Sequence, residues 1–114
     1  MSIDFTELQN EIVSDLKTEL SKDADFDAEI LAVKVKSAIK EIINKRAYEY
    51  TSYNDKEILA DLEKYYSMIM NVARYDYNQR GVEGQTGHSE GGTNRTWADR
   101  DKLFIGLHSF VKVL

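Results

Sequence analysis

Cysteine and proline are both absent from these 114 residues, and no glycine occurs before position 81. Without cysteine there is no disulfide framework, no thiolate nucleophile and no cysteine-based zinc site, so any chemistry must come from oxygen or imidazole groups. Without proline or early glycine, nothing punctuates the first 80 residues, and helical periodicity can be read directly. Long apolar runs are missing too: none approaches the roughly 20 residues that span a bilayer. The start, "MSIDFTELQN", has neither the basic nor the apolar region of a signal peptide, so a cytosolic protein without membrane contact is expected. Positive charge is in deficit, with 15 Lys and Arg against 20 Asp and Glu and a net charge of −5. Gripping nucleic acid needs clustered cations, so the charge balance argues against it as the main task.

What is present suffices for one compact domain with one core, since 42% of the residues are apolar. The charges are unevenly spread. Residues 1–30 carry nine acids against Lys17 and Lys22, whereas residues 31–50 carry Lys34, Lys36, Lys40, Lys45 and Arg46 against Glu41 and Glu49. Two accounts stay open: an acidic first helix beside a basic second one within the chain, or unlike ends of neighbouring subunits meeting.

Leu8, Ile12, Leu16 and Leu20 form an i, i+4 row with Phe5 and Val13 beside it, which predicts an amphipathic helix ending near Ser21. Asp27 marks the start of a second helix as its N-cap, with Phe26 set to staple onto Leu31. Its stripe, Leu31, Val35, Ala38, Ile39, Ile42 and Ile43, runs to about Tyr48 and predicts the central core helix. Asn54 and Glu57 form a capping box, with Tyr53 stapling onto Ile58. The stripe Ile58, Leu62, Tyr65, Ile69, Val72 and Ala73 then predicts one helix about 40 Å long that stops at Gly81. Asp76 falls on that stripe and needs a cation, with Arg80 the nearest candidate and Arg74 the second. "TWAD" reads as a capping box, Thr96 to Asp99, for a short fourth helix with Leu103 and Phe104 on its apolar side and Gly106 at its end. The tail "HSFVKVL" is β-branched and alternates weakly, as a short strand would. The predicted fold is therefore all-α: a small bundle of three main helices plus a short C-terminal helix, a flexible glycine-rich loop and a possible C-terminal strand. Residues 1–80 form the helical body, 81–96 the loop, and 97–114 the C-terminal helix and docking tail.

The loop "GVEGQTGHSEGGTNRTWADRD" invites chemical readings and supports none strongly. Gly81, Gly84 and Gly87 spell GxxGxxG, neither a dinucleotide fingerprint nor a P-loop, and the segment follows a helix where those motifs follow a strand. His88 beside Ser89 and Glu90 does not make a triad, which is a matter of geometry. One histidine with Glu83, Glu90 and Asp99 is a poor metal set, so no catalytic residue, metal or cofactor is expected, and His108 reads as a surface or packing residue. Of the seven tyrosines, Tyr66, Tyr77 and Tyr50 lie off the central stripes, placed for a partner interface or a core edge. The residues alone describe a small helical scaffold that presents C-terminal segments to other proteins.

From about Tyr65 onward the chain, above all "YDYNQRGVEGQTGHSEGG" and "NRTWADRD", resembles the head–tail connector (adaptor) proteins of long-tailed bacteriophages. The likeness covers roughly the last 50 residues in wording; residues 1–64 match only as a pattern of helices. The resemblance implies a small helical, non-enzymatic virion component, present in the host cytoplasm during assembly. It implies a dodecameric ring beneath the portal protein that extends the DNA channel, without sequence-specific DNA binding, and offers a surface to the next head-completion or tail protein. By position it makes Tyr75, Asp76, Tyr77 and Arg80 supports for the end of the long helix. Gly81 to Asn94, with Gly81, Gly84, Gly87 and His88, become the interface or channel loop. Arg95, Trp97, Arg100 and Asp101 become anchors of the C-terminal segment, and Phe104, Phe110, Val111 and Val113 complete the partner-binding set, the "FVKVL" tail being able to add a strand to an open sheet edge. The alternative is a small helical interaction or regulatory module unrelated to virions.

Overall fold

The computed structural model describes residues 3–79 and 100–111. Four α-helices carry the body: α1 (Thr6–Leu20), α2 (Ala28–Arg46), α3 (Asp55–Glu63) and α4 (Tyr66–Asn78). A 3-10 turn, Tyr48–Tyr50, follows α2, and a second one, Lys102–Phe104, lies in the C-terminal segment. No strand occurs among the described residues; the tail from Leu107 to Val111 has no regular secondary structure.

The periodicities place the core as expected. Leu8, Ile12, Leu16 and Leu20 of α1 are buried, as are Leu31, Val35, Ala38, Ile39 and Ile42 of α2. Helix α2 packs against both α1 and α4, so its apolar stripe is the centre of the molecule. Each leucine or isoleucine fully withdrawn from water there contributes about 1.5–3 kcal/mol. Both expected caps form: Asp27 Oδ1 accepts from the N–H groups of Glu29 (3.0 Å) and Ile30 (3.1 Å). Asn54 accepts from the Glu57 N–H at 2.8 Å while its own N–H donates back to Glu57 Oε1 at 3.2 Å, a reciprocal capping box. Phe26 packs on the core with its ring centroid 6.1 Å from that of Tyr77.

Two expectations are corrected, and the choice left open at Tyr77 is decided. Helix α2 stops at Arg46, two residues short of Tyr48, because Ala47 takes the left-handed conformation (φ 57°, ψ 56°) and turns the chain. The single long third helix is two. The N–H groups of Lys64 and Tyr65 bond three residues back, to the carbonyls of Asp61 (3.0 Å) and Leu62 (2.9 Å), and regular bonding resumes from Tyr65 to Ile69. Neither proline nor glycine marks this break, and Ile58, Leu62, Ile69, Val72 and Ala73 are buried on both sides of it, so the apolar spacing reads straight through. Tyr77 is a core residue, fully buried, and its hydroxyl accepts the Asp27 N–H at 2.9 Å, which fastens the end of α4 to the start of α2.

The chain leaves its 3-10 turn at Ile105, and Gly106 follows at φ +98°, a conformation that strains an L side chain, in the turn closed by the Leu107 N–H on the Phe104 carbonyl at 3.0 Å. The proposed caps Thr96 and Asp99 lie outside the described residues, as do the glycine loop and the stop at Gly81. In urea unfolding, Asn54→Ala is expected to cost about 1 kcal/mol through loss of the cap, and Ile39→Ala about 2–5 kcal/mol through the cavity it leaves. Equal losses for the two would contradict the assignment of α2 as the packing centre.

Candidate functional site: the seat of the C-terminal segment

The described part of the C-terminal segment is fastened to the helical body by two arginines. Arg46 ends the apolar stripe of α2, four residues after Ile42, and is buried with Asp61 of α3. Its Nε donates to Asp61 Oδ2 at 2.9 Å and its Nη2 to Oδ1 at 3.0 Å, a two-pronged pair that fixes the guanidinium plane. The Tyr48 hydroxyl donates to Asp61 Oδ2 at 2.5 Å. The remaining prong, Nη1, donates to the His108 carbonyl at 2.6 Å, and the Arg46 carbonyl accepts the Phe110 N–H at 2.8 Å. Phe110 covers the pair, with its ring centroid 4.0 Å from the Arg46 guanidinium carbon, 5.9 Å from the Tyr48 ring and 5.5 Å from the Tyr53 ring. Every buried side-chain polar atom among the described residues has a hydrogen-bond partner.

The second anchor is Arg100. It donates to Asp76 Oδ1 (2.8 Å) and Oδ2 (2.8 Å) on α4, and to Glu41 Oε2 (2.9 Å) and Oε1 (2.6 Å) on α2. The Asp76 and Glu41 carboxylates together hold its guanidinium more firmly charged than usual, against the effect of burial. This corrects the partner expected for Asp76. The cation comes from 24 residues along the chain and not from Arg74, which pairs with Glu19 of α1 at 2.6 Å; Arg80 lies outside the described residues. Phe104 is half-buried between the two anchors, with Lys45 Nζ 4.5 Å and the Arg100 guanidinium 5.5 Å from its ring centroid.

Of the twelve residues expected to meet a partner, five are described, and they divide in two. Arg100, Phe104 and Phe110 are turned onto their own chain. Asp101 and Val111 are exposed. Gly81, Gly84, Gly87, His88, Arg95, Trp97 and Val113 lie outside the described residues. His108 has an exposed side chain and serves through its main-chain oxygen. Sequence reasoning missed Asp61 and Glu41. Asp61 lies three residues after Ile58 on the buried side of α3, the same signal that drew attention to Asp76. No group of three metal-ligating side chains occurs among the described residues. Acids in the second half of α1 meet α4: Glu19 pairs with Arg74, and the Tyr66 hydroxyl donates to Asp15.

No protein-family model, curated protein or solved structure matches this chain.

Two outcomes test the seat. Burial and the Asp61 carboxylate push the Tyr48 hydroxyl pKa up, and burial and Asp15 do the same to Tyr66. Above about pH 10, where tyrosines of the unfolded chain ionise, the unfolded state therefore binds fewer protons than the folded one, and stability falls. Denaturation between pH 8 and about 11 is expected to show stability held until about pH 10 and declining beyond, with a shallower decline in Tyr48→Phe; an unchanged slope in that variant would contradict the assignment. Arg100→Met leaves Glu41 and Asp76 without their shared cation. Amide exchange over residues 100–111 is expected to speed up about tenfold or more, equivalent to about 1.4 kcal/mol, while the core of α2 stays protected.

Proposed function

We propose that the protein is a structural head–tail connector of a tailed phage or prophage. In this reading it forms a ring beneath the portal protein, lengthens the channel through which DNA passes, and receives the next head-completion or tail protein. The observation that carries the proposal is the run of linked features from Tyr65 onward, "YDYNQRGVEGQTGHSEGG" followed by "NRTWADRD", which resembles that family in wording.

The seat of the C-terminal segment supports the reading on physical grounds. The segment is held by hydrogen bonds and ion pairs at Arg46 and Arg100, contacts that a partner can replace by offering a carbonyl to Arg46, carboxylates to Arg100 and a cation to Glu41 and Asp76. Strand addition by the tail would require the Phe110 N–H to leave the Arg46 carbonyl for a partner's sheet edge, an exchange of one hydrogen bond for another. The net charge of −5 suits a channel wall along which DNA slides without being gripped. No catalytic role is part of the proposal; the residues given partner roles are structural contacts.

Mixing the protein with the portal protein of the same phage and imaging the product by electron microscopy tests this. Ring density of this chain below the portal, with a mass that gives a dodecamer, is the expected result. A portal without added density, together with a defined dimer that captures a non-virion partner, would support a small regulatory module in its place.

A further inference from the structure

Away from the seat, the start of α1 and the outer side of α3 enclose a groove of about 320 Å³. Phe5, Leu8 and Leu59 give it an apolar floor, and Asp4, Glu7 and Glu63 stand on its rim. Two hydrogen bonds from Thr6 hold the Asp4 carboxyl below its ordinary pKa, so it is charged at neutral pH. Glu7 and Glu63 are exposed and have no ion-pair partner among the described residues.

The outward side of α2 has the opposite character. Val33 is 61% exposed and Ile30 38%, both on the side away from the buried Leu31, Val35 and Ile39. Lys36 and Lys40 follow Val33 at helical spacings of three and seven, so two cations line the same face. Neither lysine has a carboxylate partner among the described residues. An apolar side chain left in water beside two lysines is complementary in charge to an apolar groove rimmed by three acids. The groove's volume exceeds that of a valine side chain.

We propose that the groove between α1 and α3 receives the Val33, Lys36 and Lys40 face of α2 from a second copy of this chain. In the contact Val33 enters the apolar floor, and the lysines meet Glu7 and Glu63. The two surfaces are different parts of one chain, so a subunit engaged through its groove still offers its α2 face, and the contact can be repeated around a ring. The unlike charges orient the approach and disfavour groove-to-groove pairing. The inference deepens the connector reading by naming the subunit contact and rests on that reading only for ring closure. Its test uses this chain alone, so failure to dock on a portal and failure of the subunit contact are separate results.

Sedimentation velocity from about 0.01 M to 1 M salt, over which the screening length falls from about 30 to about 3 Å, reads the contact directly. Concentration-dependent association at low salt, weakened at least about tenfold at high salt, is expected for the wild-type chain. The variants Lys36→Glu/Lys40→Glu and Glu7→Lys/Glu63→Lys are each expected to sediment as monomers, with helical circular dichroism unchanged because all four side chains are exposed. Mixed together, they are expected to associate again. A wild-type chain that stays monomeric at low salt, association indifferent to both reversals, or a mixture that remains monomeric would each overturn the proposal.

Discussion

The buried pair of Arg46 and Asp61 is the constraint around which the C-terminal side of the molecule is arranged. Two charges withdrawn from water cost several kcal/mol each, and their attraction repays this only when geometry is good and the remaining donors and acceptors are filled. Here they are filled from two directions, Tyr48 supplying a hydroxyl to the carboxylate and the tail a carbonyl to the third prong of the guanidinium, and Phe110 closes over the top. The left-handed turn at Ala47 is what allows the tyrosine immediately after α2 to come round to the same carboxylate. Helix end, turn, α3 and tail are thus parts of one hydrogen-bonded unit.

Arg100 repeats the logic at lower burial. It spans Glu41 on α2 and Asp76 on α4, so a residue far along the chain supplies the charge that two packed helices need at their junction. Between the two arginines the segment contributes few deeply buried apolar groups; Phe104 and Phe110 lie half-covered. Its hold is accordingly polar and directional, whereas the helical body is held by the close packing of Leu16, Leu31, Ile39, Ile42 and Ile69. That contrast underlies the proposed role: a body that keeps its shape and a segment whose contacts a neighbour can substitute.

Much of the helical body is legible in the sequence because apolar spacing and caps are local signals. The rows of α1 and α2 and the caps at Asp27 and Asn54 fall where periodicity puts them. The break between α3 and α4 is not legible, because it consists of two main-chain bonds that tighten the helix and leaves the stripe uninterrupted. Tyr77 stays open in the sequence between an interface and a core edge: it lies four residues after Ala73, at the edge of the stripe, and the partner of its hydroxyl, the Asp27 N–H, is 50 residues away in sequence. Asp76 is recognisable as a carboxylate needing a cation, but the identity of that cation depends on where the C-terminal segment returns, which no local pattern encodes. Asp61 and Arg46 each fall on the buried side of their helix, a signal the sequence carries unread; what spacing cannot convey is that the two side chains meet.

The atoms of the tail that hydrogen-bond to Arg46 are main-chain atoms, the His108 carbonyl and the Phe110 amide. Every amino acid carries that carbonyl and all but proline carry that amide, so the clasp is blind to the identity of the side chain at 108, which points into solvent. The path of the tail over the body is thereby decoupled from the chemistry it displays, and its outward surface can be rewritten without the tail losing its place.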